Sequence, residues 1–111
     1  MEAGGPYLIV LVTCGSLREA RRIANAVVED YFAACVNVVT SPVESIYRWK
    51  GRIEKAREFL LVIKTTQKRL AKLEREVKRL HSYEVPEFIA LPIVKGSKKY
   101  LAWLRESEKV L

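Results

Sequence analysis

His81 is the only histidine in a chain that carries 20 Lys and Arg, and it opens the stretch HSYEVPEF, in which Glu84 and Glu87 follow it. A neutral imidazole is a good ligand for copper or zinc. A thiolate adds a soft donor, and carboxylates can complete a mixed coordination shell. His81, Cys14, Glu84 and Glu87 are therefore the candidate metal ligands of this sequence. Each also has a plainer reading. A histidine at the end of a helical pattern can hydrogen-bond a last-turn carbonyl or sit favourably on the helix dipole. Cys14 reads equally as a small buried hydrophobe, and glutamates beside a turn are usually solvated.

Other chemistry is poorly supplied. Asp30 is the only aspartate, and there is neither a G-x-S-x-G elbow nor a phosphate-binding glycine loop. With no nucleophile, base and orienting group in view, the chain is not expected to be an enzyme. Cys14 and Cys35 have no C-x-x-C partner, so reduced thiols are expected rather than a disulfide framework or zinc finger.

The 111 residues fit one domain, 1–111, of ordinary globular composition. The longest apolar run, YLIVLV at 7–12, is too short to span a bilayer, and MEAGG offers no charged secretory n-region. These features predict a soluble, cytoplasmic protein. Two Asn, one Gln and one Met amid 30% charged residues are a composition like that of hyperthermophile proteins. The net charge of +7 raises the question of nucleic acid, but charge by itself does not specify that partner.

The elements that must position these side chains follow from periodicity. YLIVLVTC (7–14) predicts a buried strand, and the apolar spacing from Leu17 to Tyr31 predicts a helix with Ser16 as N-cap and Glu19 at the capping-box position. CVNVVTS (35–41) predicts a strand interrupted at Pro42 and resumed through VESIYRWK to Gly51. RIEKAREFLLVIKT (52–65) returns as its hairpin partner, with an outer half that projects. Gln67–Leu80 predicts a second amphipathic helix, EFIALPIV (87–94) an edge strand marked by Pro92, and KKYLAWLRES a terminal helix. This βαββαβ order plus a C-terminal helix predicts an α+β, ferredoxin-like sandwich with an antiparallel sheet and a long hairpin between the second and third strands. Right-handed crossovers give the strand order 4-1-3-2, with both crossover helices on one face. Cys14, residues 47–51 and residues 81–87 then share one pole. Cys35 and Lys64 lie at the other.

AACVNVV at 33–39, YRWKG at 47–51, LLVIKT at 60–65, HSYEVPE at 81–87 and YLAWL at 100–104 together resemble the CutA family of divalent-cation tolerance proteins. The resemblance covers about residues 7–107. It implies a homotrimer joined through strand edges and the hairpin, with Tyr47, Trp49, Glu58, Lys64, Tyr83 and Trp103 at subunit contacts. It also implies a link to tolerance of copper and other divalent metals, with Cu(II) or another divalent cation as the bound species. Family members with proposed copper ligands carry a Cys near the end of strand 1 and a His-His pair. In this sequence the second His matches His81, the first falls on Leu80, and the Cys falls on Val12, with Cys14 two residues later on the same strand face. Residue chemistry independently favours partner packing for Tyr47 and Trp49, with cofactor stacking second. Two other readings compete: a trimeric PII-like scaffold for a small ligand or protein, and an RNA-binding ferredoxin-like module. The RNA reading ranks last because REFLLVIKT lacks the aromatic sheet motif of RNA-binding members of that fold.

Overall fold

The structure is a computed structural model that describes residues 6–109; the MEAGG opening lies outside them. Its strands are β1 (Tyr7–Cys14), β2 (Cys35–Val38), β3 (Val43–Trp49), β4 (Arg52–Thr66) and β5 (Ile89–Pro92), and its helices are α1 (Leu17–Glu29), α2 (Leu70–Leu80) and α3 (Lys98–Ser107). The sheet runs β2-β4-β1-β5, with β3 paired to the outer half of β4 and every pairing antiparallel. This is the expected α+β ferredoxin-like arrangement. Among the described residues no helix is long and apolar enough to cross a membrane.

Strand alternation sorts the sheet into two faces. Val10, Val12 and Cys14 of β1 and Leu61 and Ile63 of β4 meet Ile23 and Val27 of α1 and Leu73 and Val77 of α2 in one core. Full burial of a side chain such as Leu61 or Leu73 is worth about 2 kcal/mol. The opposite face carries Ile9, Leu11, Leu60, Val62, Ile89 and Leu91 in register. It supplies no member of that core, and Ile89 and Leu91 remain 46% and 44% exposed.

Turn chemistry explains the connections. Lys50 and Gly51 both adopt positive φ (50° and 78°), the twist that a two-residue hairpin between β3 and β4 requires. α1 ends in a Schellman motif, with Phe32 N–H bonded to Val27 O and Tyr31 N–H to Val28 O. Tyr31 supplies the left-handed residue at φ 63°, where glycine is usual.

Several boundaries differ from the sequence reading: α1 ends at Glu29, not Tyr31, and β2 ends at Val38, not at residue 41. The segment 67–69 is a 3-10 turn, so α2 proper starts at Leu70, not Gln67. Thr66 stands at the capping position, but its hydroxyl donates to Glu108 Oε1 at 2.6 Å and caps nothing. The last strand, β5, pairs only over Ile89–Pro92, not 87–94; Ile93 N–H still bonds Tyr7 O at 3.0 Å, so Pro92 occupies a position whose missing N–H faces away from β1.

Glu108 anchors the C-terminal helix to the end of β4. It is 3% exposed, and its own carbonyl accepts from Arg69 Nη2 at 2.7 Å. The Thr65 hydroxyl lies 2.6 Å from Glu108 Oε2 and 2.9 Å from Phe32 O, yet it carries a single proton. That proton is shared between the two acceptors. Burial raises the Glu108 pKa above its ordinary value of 4.5 against the opposing hydrogen bonds of Thr65 and Thr66. Because the folded state holds the carboxyl proton more tightly than the unfolded chain, its stabilisation is complete below pH 4.5 and is lost as pH rises through the folded pKa. Glu108→Gln keeps a donor for Thr65 and an acceptor for Thr66 without a charge. Denaturation across pH 4 to 8 should show a flatter stability profile for this variant and no loss at pH 7, whereas Glu108→Ala should cost about 1–3 kcal/mol.

Candidate functional site

The loop after α2 is built around His81. Its backbone N–H caps the helix by bonding Val77 O at 2.9 Å. Its ring does not turn back to a last-turn carbonyl. Nε2 lies 2.7 Å from Thr13 O, while Nδ1 accepts the Tyr83 N–H at 3.1 Å. A carbonyl can only accept, and an acceptor Nδ1 is unprotonated, so the pair fixes the neutral Nε2–H tautomer. Both nitrogens are therefore engaged in joining α2, β1 and the loop.

Neighbouring bonds complete the joint. Arg22 Nη2 donates to Leu80 O at 2.7 Å, satisfying a helix-end carbonyl. The Glu19 carboxylate accepts Ser82 N–H at 2.5 Å and Ser82 O–H at 3.0 Å. Thus only half of the expected capping box forms: Ser16 Oγ accepts Glu19 N–H at 3.1 Å, but the Glu19 side chain is committed to the loop. Tyr83 packs its ring 4.7 Å from that of His81 and donates its hydroxyl to Glu58 Oε2 at 2.8 Å. A side chain at Gly15 would come within 3.1 Å of the Tyr83 oxygen, so the small residue there admits the tyrosine.

Beside this joint opens a cleft of about 600 Å³, lined by Glu58, Glu84, Glu87, Tyr83, Thr13, Ser45, Ile46, Tyr47, Trp49 and Val85. Alternation places Glu58, Tyr47 and Trp49 on the sheet face turned away from α1 and α2. Glu58 is buried. Burial, followed by the negative charge of Glu58, raises the pKa of Glu87. Burial and the hydrogen bond to Glu58 hold the Tyr83 phenol well above its usual range.

The four candidate ligands do not gather. Glu84 and Glu87 line the cleft, but Cys14 is buried in the helix-side core and His81 sits behind the cleft wall. Burial, then the charges of Glu19 and Glu58, push the Cys14 thiol up to about 12, so its thiolate is disfavoured. Among the described residues, no three His, Cys, Asp or Glu side chains converge on a position that could hold a metal ion. Of the expected contact residues, Tyr47, Trp49, Glu58 and Tyr83 line the cleft. Lys64 is six positions from Glu58 along β4, about 20 Å at the strand rise, so no bridge joins them within one chain. Trp103 lies exposed on α3, stacked with Tyr100 at 5.5 Å. Cys35 pairs opposite Lys64 and Cys14 opposite Phe59, about 17 Å apart along β4.

Thr13, Ser45, Ile46 and Val85 belong to the cleft without having been singled out in the sequence. Glu58 was recognised only as a contact residue. The period-two pattern of the hairpin, which sets Glu58 opposite Val43 on the face of Tyr47 and Trp49, was the available signal.

Two outcomes follow. His81→Ala removes the donor to Thr13 O and the acceptor for Tyr83 N–H, and should cost about 2–3 kcal/mol in chemical denaturation. Cys14 should resist a disulfide reagent at pH 8 in the folded protein and react on unfolding; rapid native-state labelling of Cys14 would contradict its assigned environment.

The model of the CutA1 divalent ion tolerance protein family matches residues 8–107. The divalent-cation tolerance protein CutA of Thermus thermophilus is 50% identical over 99 residues, spanning 89% of this chain and 95% of that protein. Its solved structure superposes with a TM-score of 0.89, covering 91% and 97% of the two chains. A structure described as the periplasmic divalent cation tolerance protein CutA of Archaeoglobus fulgidus is 40% identical with a TM-score of 0.89, covering 93% of this chain and 99% of that one. The chloroplastic CutA of Arabidopsis thaliana is 44% identical over 94% of this chain, which spans 57% of that longer protein. Sequence and architecture agree over nearly the whole length, and the chain belongs to the CutA1 divalent ion tolerance family.

Proposed function

We propose that this chain is the subunit of a cytoplasmic homotrimer that acts in divalent-cation tolerance by binding rather than by catalysis. The observation that carries the reading is the second sheet face, where Ile9, Leu11, Leu60, Val62, Ile89 and Leu91 form an apolar surface outside the core. A sheet that is apolar on both faces needs cover on both. The hairpin extends that surface with Tyr47 and Trp49, which alternation places on the same face. Packing three copies around it accounts for the exposed side chains of Tyr47, Trp49, Tyr83 and Trp103 and would bring Glu58 or Lys64 within reach of a neighbour's charge.

For the cation, the donors that fit are oxygens. The imidazole of His81 has both nitrogens engaged, and Cys14 is held as a thiol. Glu84 and Glu87 face the cleft, with Glu58 close enough to raise the Glu87 pKa. A divalent ion there would relieve that like-charge repulsion. Because the described residues of one chain offer no converging set of three, a Cu(II) or other divalent ion would draw further donors from a second subunit. Assembly and cation binding are thus coupled in this reading.

Sedimentation equilibrium at micromolar concentration should give three times the 12.7 kDa chain mass, and Val62→Lys should shift it toward monomer. Calorimetric titration of the chelator-stripped protein with Cu(II) and Zn(II) should give stoichiometric heat that Glu84→Gln/Glu87→Gln abolishes. A monomeric wild type would end the assembly reading, and heat unaffected by the double variant would move the metal elsewhere.

A further inference from the structure

The outer side of α2 is almost wholly cationic. Between Gln67 and Leu80 the chain carries six Lys and Arg against two Glu, and every exposed residue there except Gln67 and Ala71 is a Lys or Arg. Lys72, Arg75 and Arg79 recur at three and four residues, so they line one side of the helix, and Lys68 continues the row into the 3-10 turn. That side lies opposite Leu73 and Val77, which α2 buries in the core. Both acids are already committed: Glu74 pairs with Lys78 at 2.8 Å and Glu76 with Arg79 at 2.7 Å. Lys68, Lys72 and Arg75 enter no ion pair among the described residues.

Assembly leaves this ridge open. The trimer proposed above packs on the other face of the sheet, and none of the four residues of the row is among its expected contacts. In that trimer three such ridges face solvent, each about 16 Å long at the helical rise from Lys68 to Arg79.

The composition of the ridge selects its partner. A membrane-surface helix needs an apolar face to insert, and α2 turns its apolar side inward. A stable protein interface is anchored by desolvated aromatic or aliphatic side chains, yet Ala71 is the one apolar residue exposed between 67 and 80. A phosphate backbone requires neither, since its affinity comes from charge and from the counterions released on contact. Single strands are also held through stacked aromatic rings, which the ridge lacks, so a duplex fits best. The row spans about five phosphates of one duplex strand at about 3.4 Å each.

We propose that the α2 ridge binds the phosphate backbone of double-stranded nucleic acid through Lys68, Lys72 and Arg75, without reading its sequence. This mode differs from the aromatic sheet readout that REFLLVIKT lacks. It goes beyond the cation-tolerance reading and does not depend on it.

The test follows the fluorescence anisotropy of a labelled duplex DNA as the full chain is added, with chelator present, from about 50 to 200 mM NaCl. Binding should weaken as salt rises, the slope of log affinity on log salt being about −2.7 or steeper for three phosphate contacts. Lys68→Gln/Lys72→Gln/Arg75→Gln should make that slope shallower by about 2.7 and weaken binding at the lowest salt by at least about tenfold. Lys95→Gln/Lys98→Gln/Lys99→Gln removes the same charge from exposed positions outside the ridge and should change the affinity by less than about threefold. Should the ridge variant fail to fold by circular dichroism, Lys72→Gln alone should lower the slope by about 0.9. Absent or salt-insensitive binding, equal losses in the two triple variants, or polyglutamate bound as tightly as the duplex would overturn the proposal. Chelator keeps this outcome separate from the Cu(II) and Zn(II) titration, so either can fail while the other stands.

Discussion

The hydrogen bond from His81 Nε2 to the carbonyl of Thr13 holds the functional pole together. It ties the last turn of α2 to the end of β1, and the unprotonated Nδ1 on the other side of the ring receives the Tyr83 amide. One neutral imidazole thus sets the direction in which the chain leaves the helix. Tyr83 then reaches Glu58, and Glu84, Val85 and Glu87 follow along the cleft wall. No other side chain type offers a donor and an acceptor at this separation on one rigid ring. The histidine that would attract attention as a ligand acts here as a joint, and the chemistry it enables lies a few residues away.

Electrostatics divides the same pole into two environments. On the helix side, Cys14 is sealed among aliphatic groups and its thiolate is disfavoured by burial and by Glu19 and Glu58. On the opposite face, carboxylates and aromatic rings share an open cavity in an otherwise basic molecule. β1 separates the two, since alternation sends Thr13 to one face and Cys14 to the other. Two side chains adjacent in sequence therefore have no common ligand.

The architecture was legible because each element carried its own period and its own punctuation. The buried run YLIVLV, Pro42, Gly51 and Pro92 located the strands and their interruptions, and Ser16 and Ser97 began their helices, each accepting the N–H three residues on. The start of α2 was less legible, because Thr66 had been taken by Glu108, a residue 42 positions away. The site was legible only as a pole. Topology brought His81, Cys14, Glu84 and Glu87 to one end of the sheet, but whether a ring nitrogen is free depends on the carbonyl it meets, and Thr13 O carries no signature in sequence. Glu58 was legible only as a contact residue for a related reason: an acid in an alternating hairpin looks solvated until Tyr83 closes over it.

The register of β1 also bears on how the chain is made. Its pairings run from Tyr7 with Thr66 to Cys14 with Phe59, and from Leu8 with Pro92 to Leu11 with Ile89. The most apolar strand is thus synthesised first, and its nearest partner emerges only some 45 residues later. Non-local pairing of this kind slows folding and leaves a hydrophobic strand exposed in the interval. The nascent chain passes through a stage in which YLIVLV has no sheet to join until β4 has been made.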